Sequence, residues 1–283
     1  MIFYIVIPAH NEEAFLTQTL QSLVNQTLLP KKLVVVNDNS TDGTQEIIDT
    51  FSSQYPFITS IHTISSESHA PGSKVINAFN AGLQSLDDDY DIICKFDADL
   101  IFPKNYLASI QLMFEKEPQC GMAGGFCYIQ KNGTWILEDL TNQDHIRGAL
   151  KAYRKSCFTK INGLKNTMGW DTVDELLAQY HGWKVCTDAN LHVQHLKPTG
   201  ASYISGSKYK QGEAFYRMRY GWLLSHIASA KLAYKKKSFL FYLYCLKGYV
   251  AAYQKDKPFM VSKEEGKYIR QLRWKKIKKK FYF

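Results

Sequence analysis

A chain of 283 residues with 45% hydrophobic and 22% charged residues can bury a sizeable core, as one large domain or as a domain with an appendage. Its six cysteines are scattered with no Cys-x-x-Cys pair, which excludes a zinc knuckle or dithiol redox motif and fits reduced thiols in a cytoplasmic protein. Met1 to Ile7 is apolar but short and lacks the basic leader of a signal peptide. The longest apolar stretch, Ser238 to Leu246, falls far below the roughly 20 residues that cross a bilayer.

The predicted elements of the first half alternate. Phe3 to Ile7 reads as a buried strand and Pro8-Ala9-His10-Asn11 as a turn. Glu12 to Leu28 carries Leu16, Leu20, Leu23 and Val24 at helical spacing, with Pro30 as a stop. Leu33 to Val36 is a second strand, ending in the polar loop Asn37 to Gly43, where Asp42 is a cap for the helix bearing Ile47, Ile48 and Phe51. Ile58 to Ile64 reads as a third strand. A loop through Pro71-Gly72 enters a helix over 73–86, and Tyr90 to Phe96 is a strand closing on Asp97-Ala98-Asp99. Strands separated by helices in this way predict parallel βαβ units, whose ligands sit at the carboxyl ends of the strands. Pro8 to Glu12, Asn37 to Asp42 and Asp97 to Asp99 all fall there, so three polar loops are expected to meet on one rim.

Asp97 and Asp99 are the centre of that expectation. Two carboxylates two positions apart, just past a strand end, can face one cavity and share a divalent cation. Mn²⁺ or Mg²⁺ takes oxygen ligands and leaves positions open for phosphate. Lys74, opening its helix beside this rim, can neutralise phosphate charge. Beyond Phe102 the pattern predicts a helix over 105–116, strands over 121–129 and 134–138, and a helix within 169–182. A further strand ends at His192 and His195, before Lys197-Pro198-Thr199-Gly200.

In order and spacing, Ile7-Pro8-Ala9-His10-Asn11-Glu12-Glu13, Val36 to Thr44, the Lys74 to Gly82 helix, Asp97-Ala98-Asp99 and Asp174-Glu175 resemble family 2 glycosyltransferases over roughly residues 1–200. The resemblance implies the GT-A fold, an α/β Rossmann-like layout with a mostly parallel sheet. It implies a catalytic domain over 1–204 followed by a helical, aromatic and basic region over 205–283. It also implies roles. Pro8, Ala9, His10, Asn11 and Glu12 wall the nucleotide pocket, with Ala98 beside them. Asp38 bonds the base, typically uracil, and Asp97 touches the ribose. Asp99 ligates the metal, which His195 can approach. Asp174 aligns with the general base, but Val173 stands where the family has glutamate and Glu175 follows, so the base is Asp174 or Glu175. Arg147, Trp170 and Asp171 are the expected acceptor side, Trp170 as a surface for a sugar ring or else as a core residue. For Asp171, Asp174 and Glu175 the alternative is charge complementing a helix N-terminus.

The implied activity is metal-dependent inverting transfer of a sugar from a nucleotide-diphosphate donor, typically UDP-linked, to a glycan or lipid-linked acceptor in cell-surface polysaccharide assembly. Two rivals stand beside it: a nucleotidyltransferase, for which a Gly-rich triphosphate loop is missing, and a non-catalytic membrane-associated scaffold.

The charge of +9 is unevenly placed. Lys235-Lys236-Lys237 precedes Phe239 to Leu246, and Arg270, Arg273, Lys275, Lys276, Lys278, Lys279 and Lys280 follow one another without an acid. Basic segments interleaved with bulky apolar residues can lie on an anionic membrane. With no RNA-binding motif or zinc finger alongside, nucleic acid is not an expected partner.

Overall fold

The computed structural model describes residues 1–64, 72–138, 144–197 and 209–281, with side chains of the last helix to residue 279. The expected loop at Pro71, the turn at Pro198 to Gly200 and the domain boundary at 204 lie outside the described residues.

A single nine-stranded sheet organises the chain, in the order β3-β2-β1-β4-β8-β6-β9-β5, with β7 paired to β6. Its parallel half is β1 (Phe3–Ala9), β2 (Lys32–Asp38), β3 (Ile58–Thr63) and β4 (Ile92–Phe96). β1, β2 and β4 are largely apolar runs because helices cover both faces, whereas β3, at the sheet edge, is mixed and partly exposed. Those helices are α1 (Leu16–Val24), α2 (Thr44–Gln54) and α3 (Ser73–Gln84). The other half mixes directions: β8 (Leu150–Arg154) runs antiparallel to β4 and β6 (Cys120–Lys131), and β9 (Lys184–His195) runs parallel to β6. The short β5 (Leu100–Ile101) and β7 (Thr134–Leu137) complete it. The remaining helices of this part are α4 (Tyr106–Lys116), α5 (Lys155–Lys160) and α6 (Trp170–Tyr180).

Two differences from the sequence expectation have local causes. Helix α1 starts at Leu16 because residues 12–15 form a turn in which the Glu12 carbonyl accepts from both Phe15 and Leu16 amides. It stops at Val24 because Thr27 donates to the Lys104 carbonyl and the Gln26 amide to that of Pro103, which draws the chain off the helix axis. The strand β8 was not expected. It carries a lysine, Lys151, that is fully buried and pairs in register with the equally buried Lys95 of β4.

Four further helices follow: α7 (Lys210–Arg217), α8 (Trp222–Lys235), α9 (Phe239–Gln254) and α10 (Lys263–Phe281). Helix α7 seats Ala214 and Met218 against Gly169, and its Arg217 donates to the Thr167 hydroxyl. Helix α10 returns to the sheet-bearing part through Tyr268 on Tyr180 and Lys276 on Asp144. Helices α7 and α9 cross at glycine. A Cβ on Gly212 would stand 1.7 Å from the Cys245 carbonyl oxygen, and one on Gly248 2.0 Å from that of Tyr209. Gly248→Ala is therefore expected to force the helices apart at a cost of about 1–3 kcal/mol, read as a lower denaturation midpoint. An unchanged midpoint would contradict the close approach.

Candidate active site

The loops after β1 and β2 are laced together. The His10 ring nitrogen Nδ1 donates to the Asp38 carbonyl at 2.6 Å. Asn11, in the left-handed region at φ 55°, donates through its amide to Ser40 and accepts from the Thr41 amide. Asparagine tolerates that conformation better than most residues. Asp42 accepts from the amides of Thr44 and Glu13 and so ties the two loops; the N-cap position of α2 is Gly43, one residue beyond the expected cap. Behind them Asp38 is buried and accepts from the Thr63 hydroxyl, while Ala9 is buried and Pro8 half-buried at the end of β1.

The Asp97-Ala98-Asp99 turn is held from below by Thr19 of α1. Its hydroxyl donates to the Ala98 carbonyl at 2.7 Å and accepts from the Leu100 amide at 3.0 Å. Asp97 is ion-paired with the buried Lys95. Asp99 is buried; its Oδ2 lies 3.4 Å from His195 Nε2, and its Oδ1 has no hydrogen-bond partner among the described residues. Glu12 reaches the same place. One of its oxygens meets Lys197 at 3.1 Å and the other is buried with no hydrogen-bond partner among the described residues. Burial raises the Glu12 pKa, against the pull of Lys197, and the nearby charges of Asp99 and Asp97 push in the same direction as burial. Glu12, Asp97 and Asp99 thus lie close enough for their charges to act on one another.

His195 bridges Asp99 to Glu138, its Nδ1 lying 3.1 Å from Glu138 Oε2. Burial alone would lower its pKa, but the two acids outweigh burial and push it up to about 9. Cys127, Glu138 and His195 also bring ligand atoms within 4.8 Å of one another. The Arg147 guanidinium already sits on Glu138 at 2.8 Å, which disfavours a cation at that carboxylate. The two orphaned oxygens mark the better place: a hard divalent cation is satisfied by carboxylate oxygens, and buried acceptors without partners are costly otherwise.

Helix α6 delivers three acids to a second centre, and they are not equivalent. Asp174 is 1% exposed. It receives Lys151 Nζ at 2.8 Å and the Tyr153 hydroxyl at 2.6 Å. Glu175 receives Lys151 Nζ at 3.2 Å, the Ile146 amide at 2.9 Å and His145 at 2.8 Å. Burial pushes the Asp174 carboxyl up to about 6, against Lys151. For Glu175 the same burial is outweighed by Lys151 and His145, which hold it low. Asp171, in the first turn, keeps 35% of its side chain exposed, with His145 Nε2 3.9 Å from its carboxylate. Of the two expectations for Trp170, the core is the one it meets. Its indole is only 7% exposed, packs on Gly148 and lies 5.4 Å and 5.8 Å from the ammonium groups of Lys95 and Lys151. It therefore works as a lid on two buried cations rather than as an open stacking surface. Arg147 is likewise engaged, on Glu138. Lys74 is half-buried in the first turn of α3, whose entry packs against residues 166–168 just ahead of α6.

Thr19, Lys95, Glu138, His145, Lys151 and Tyr153 were invisible to sequence reading. The only cue was a charged residue inside an otherwise apolar run, which Lys95 gives and which, once β8 is seen, Lys151 also gives.

A sequence profile described as Glycosyl transferase family 2 matches residues 4–168. The chain belongs to that family. A probable glycosyltransferase of Bacillus subtilis, YdaM, is 40% identical over 98 residues, which cover 34% of this chain and only 22% of that protein. Among solved structures, Staphylococcus aureus TarS 1–349 in complex with UDP-GlcNAc superposes with a TM-score of 0.59 at 18% identity, over 80% of this chain and 66% of that one. A mannosyltransferase of Pyrobaculum calidifontis in complex with GDP-Man and Mn²⁺ gives 0.57 at 14% identity, over 95% and 78%. Likeness at these identities establishes the GT-A fold.

Proposed function

We propose that this glycosyltransferase moves a hexose, with inversion, from a UDP-linked donor to a hydroxyl of a glycan or lipid-linked acceptor in cell-surface polysaccharide assembly, and that it depends on Mn²⁺ or Mg²⁺. The observation carrying the reading is the buried Asp99 oxygen left without a partner, facing Glu12 and Asp97 at the carboxyl ends of the strands. The UDP-GlcNAc held by TarS and the GDP-Man and Mn²⁺ held by the archaeal mannosyltransferase support the donor class and the metal.

In this reading residues 8–12 and Asp38 hold the nucleoside, with Asp97 at the ribose, Lys74 near the phosphates, and Asp99 and His195 at the cation. When bound, the cation supplies Lewis-acid stabilisation to the departing diphosphate. Lys197, 3.1 Å from Glu12, adds positive charge on the same side. The base must reach the acceptor hydroxyl, so access ranks before pKa. We assign that role to Asp171, because Asp174 and Glu175 are spent on Lys151, Tyr153, His145 and the Ile146 amide. Those two acids then position the start of α6 and Asp171 with it. The acceptor approaches Asp171 and the edge of the pocket, with Arg147 and Trp170 supporting the wall behind.

Release of nucleotide from a panel of nucleotide-sugars tests this. Wild type with Mn²⁺ or Mg²⁺ should release UDP from one donor. EDTA should abolish release, and Asp99→Asn should cut it by at least about a hundredfold. Release that persists in EDTA would remove the metal from the mechanism.

A further inference from the structure

We propose that the hairpin of α8 and α9 is a docking surface for an anionic phospholipid membrane, lying in the plane of the interface. This goes beyond the catalytic reading and does not depend on it.

The two helices are packed inside out. Leu224 of α8 apart, the residues they bury are small: Ser225, Ser229 and Ala233 in α8, and Cys245, Gly248 and Ala252 in α9. Several of their large apolar side chains face outward. Leu223 and Ile227, one turn apart, and Tyr234, two turns further on, form a stripe on α8. Phe239, Leu240 and Leu243 form one on α9. Tyr234 is 87% exposed, Phe239 74% and Leu223 61%. In a water-soluble helical unit this ordering is reversed, because large apolar groups gain most from burial. Small residues inside and large ones outside is the arrangement of helices whose outer surface meets an apolar phase. A concentrated apolar patch of this kind marks a contact site rather than ordinary surface.

Charge names the partner. Residues 209–283 contain nineteen lysines and arginines against four acids, whereas residues 1–208 carry sixteen against twenty-two. The basic excess is therefore confined to the part that bears the apolar stripes. Lys235, Lys236 and Lys237 form the exposed turn between the two helices, and Lys247 is exposed on α9 among the apolar residues. Lysine stems lie along apolar surface while their ammonium groups reach headgroups. Apolar burial combined with attraction to anionic headgroups is how in-plane helices bind. Spanning is excluded for these helices: no described helix is long and apolar enough to cross a membrane. An acidic protein partner would match the lysines but leave the aromatic and leucine stripes facing water. A second copy of the chain would bring a like-charged lysine turn against its own.

The test is co-sedimentation of the full chain with vesicles of phosphatidylcholine alone or of phosphatidylcholine with phosphatidylglycerol. It is run at low and high salt beside size-exclusion chromatography. The wild type should bind the anionic vesicles and be released by salt. Leu240→Glu with Leu243→Glu, and separately Lys235→Glu with Lys236→Glu and Lys237→Glu, should each weaken binding by roughly a hundredfold. The substituted positions are exposed, so the thermal transition should stay in place; that comparison separates lost docking from lost folding. Three results would overturn the proposal. They are no binding by the wild type at low salt, binding that survives both sets of substitutions, or a dimer that the leucine substitutions dissociate while vesicles are ignored.

Discussion

Lys151→Met is expected to destabilise the protein by about 3–5 kcal/mol, the range found when one partner of a buried ion pair is removed. The ammonium is fully buried and contacts Asp174 and Glu175 together, 2.8 Å and 3.2 Å away. Methionine fills the volume but leaves two buried acids without their ammonium, Asp174 then held by the Tyr153 hydroxyl and the Glu175 amide alone. The deficit should depend on pH, with a definite sign. Burial already pushes Asp174 up to about 6, with Lys151 opposing. An acid whose folded pKa is raised binds its proton more tightly in the folded state. Its contribution is therefore full below the ordinary carboxylate value and is lost as pH rises through about 6. Without Lys151 the window extends upward, and Glu175, now held low, loses its main counter-charge. Denaturant unfolding should show a larger deficit at about pH 8 than at about pH 5. A deficit independent of pH would mean that lost packing, not exposed charge, carries the effect.

The sequence made half of this molecule legible and hid the other half for a physical reason. In β1 to β4 each element is built from local signals: apolar runs in β1, β2 and β4, helical periodicity between strands, polar loops at their ends. The motif residues sit in those loops, so their meeting at one edge of the sheet was legible, although the hydrogen bonds by which Asp42 ties two loops were not. The second centre offers no such signal. Lys151 and Tyr153 belong to β8, which pairs antiparallel with β4 across more than fifty residues of sequence. A lysine in a short run reads as surface until its partner acids are seen. Helix α6 shows the same limit. Three acids within five positions look alike in sequence, and Asp174 was the natural base by alignment with the family. Their sorting into two buried anchors and one accessible carboxylate depends on Lys151, Tyr153 and His145, which arrive from elsewhere. For Trp170 the sequence left sugar surface and core both open for the same reason: the two lysines beneath it come from separate strands, β4 and β8.

Asp171→Asn is expected to lower kcat by about a hundredfold to ten-thousandfold, the usual worth of a general base, while leaving donor KM and thermal stability near wild type. Asp174→Asn should behave in the opposite way. Asparagine keeps the shape, but the Lys151 ammonium loses one of its two counter-charges, so the loss should appear as a lower thermal transition. Turnover per folded molecule should fall by no more than about tenfold, through a loosened α6 start rather than a missing base. The two variants differ by one functional group at positions one helical turn apart, so the contrast isolates access to the acceptor. His145→Gln adds a third reading. His145 Nε2 lies 3.9 Å from the Asp171 carboxylate while its Nδ1 is held by Glu175, so the imidazole sits beside that carboxylate and adds to its local electrostatics. Its removal should lower kcat without moving donor KM, and less severely than Asp171→Asn. If instead Asp174→Asn kept its stability and lost turnover as completely as Asp171→Asn, the buried acid would be the base, and α6 would have to open for the acceptor to reach it.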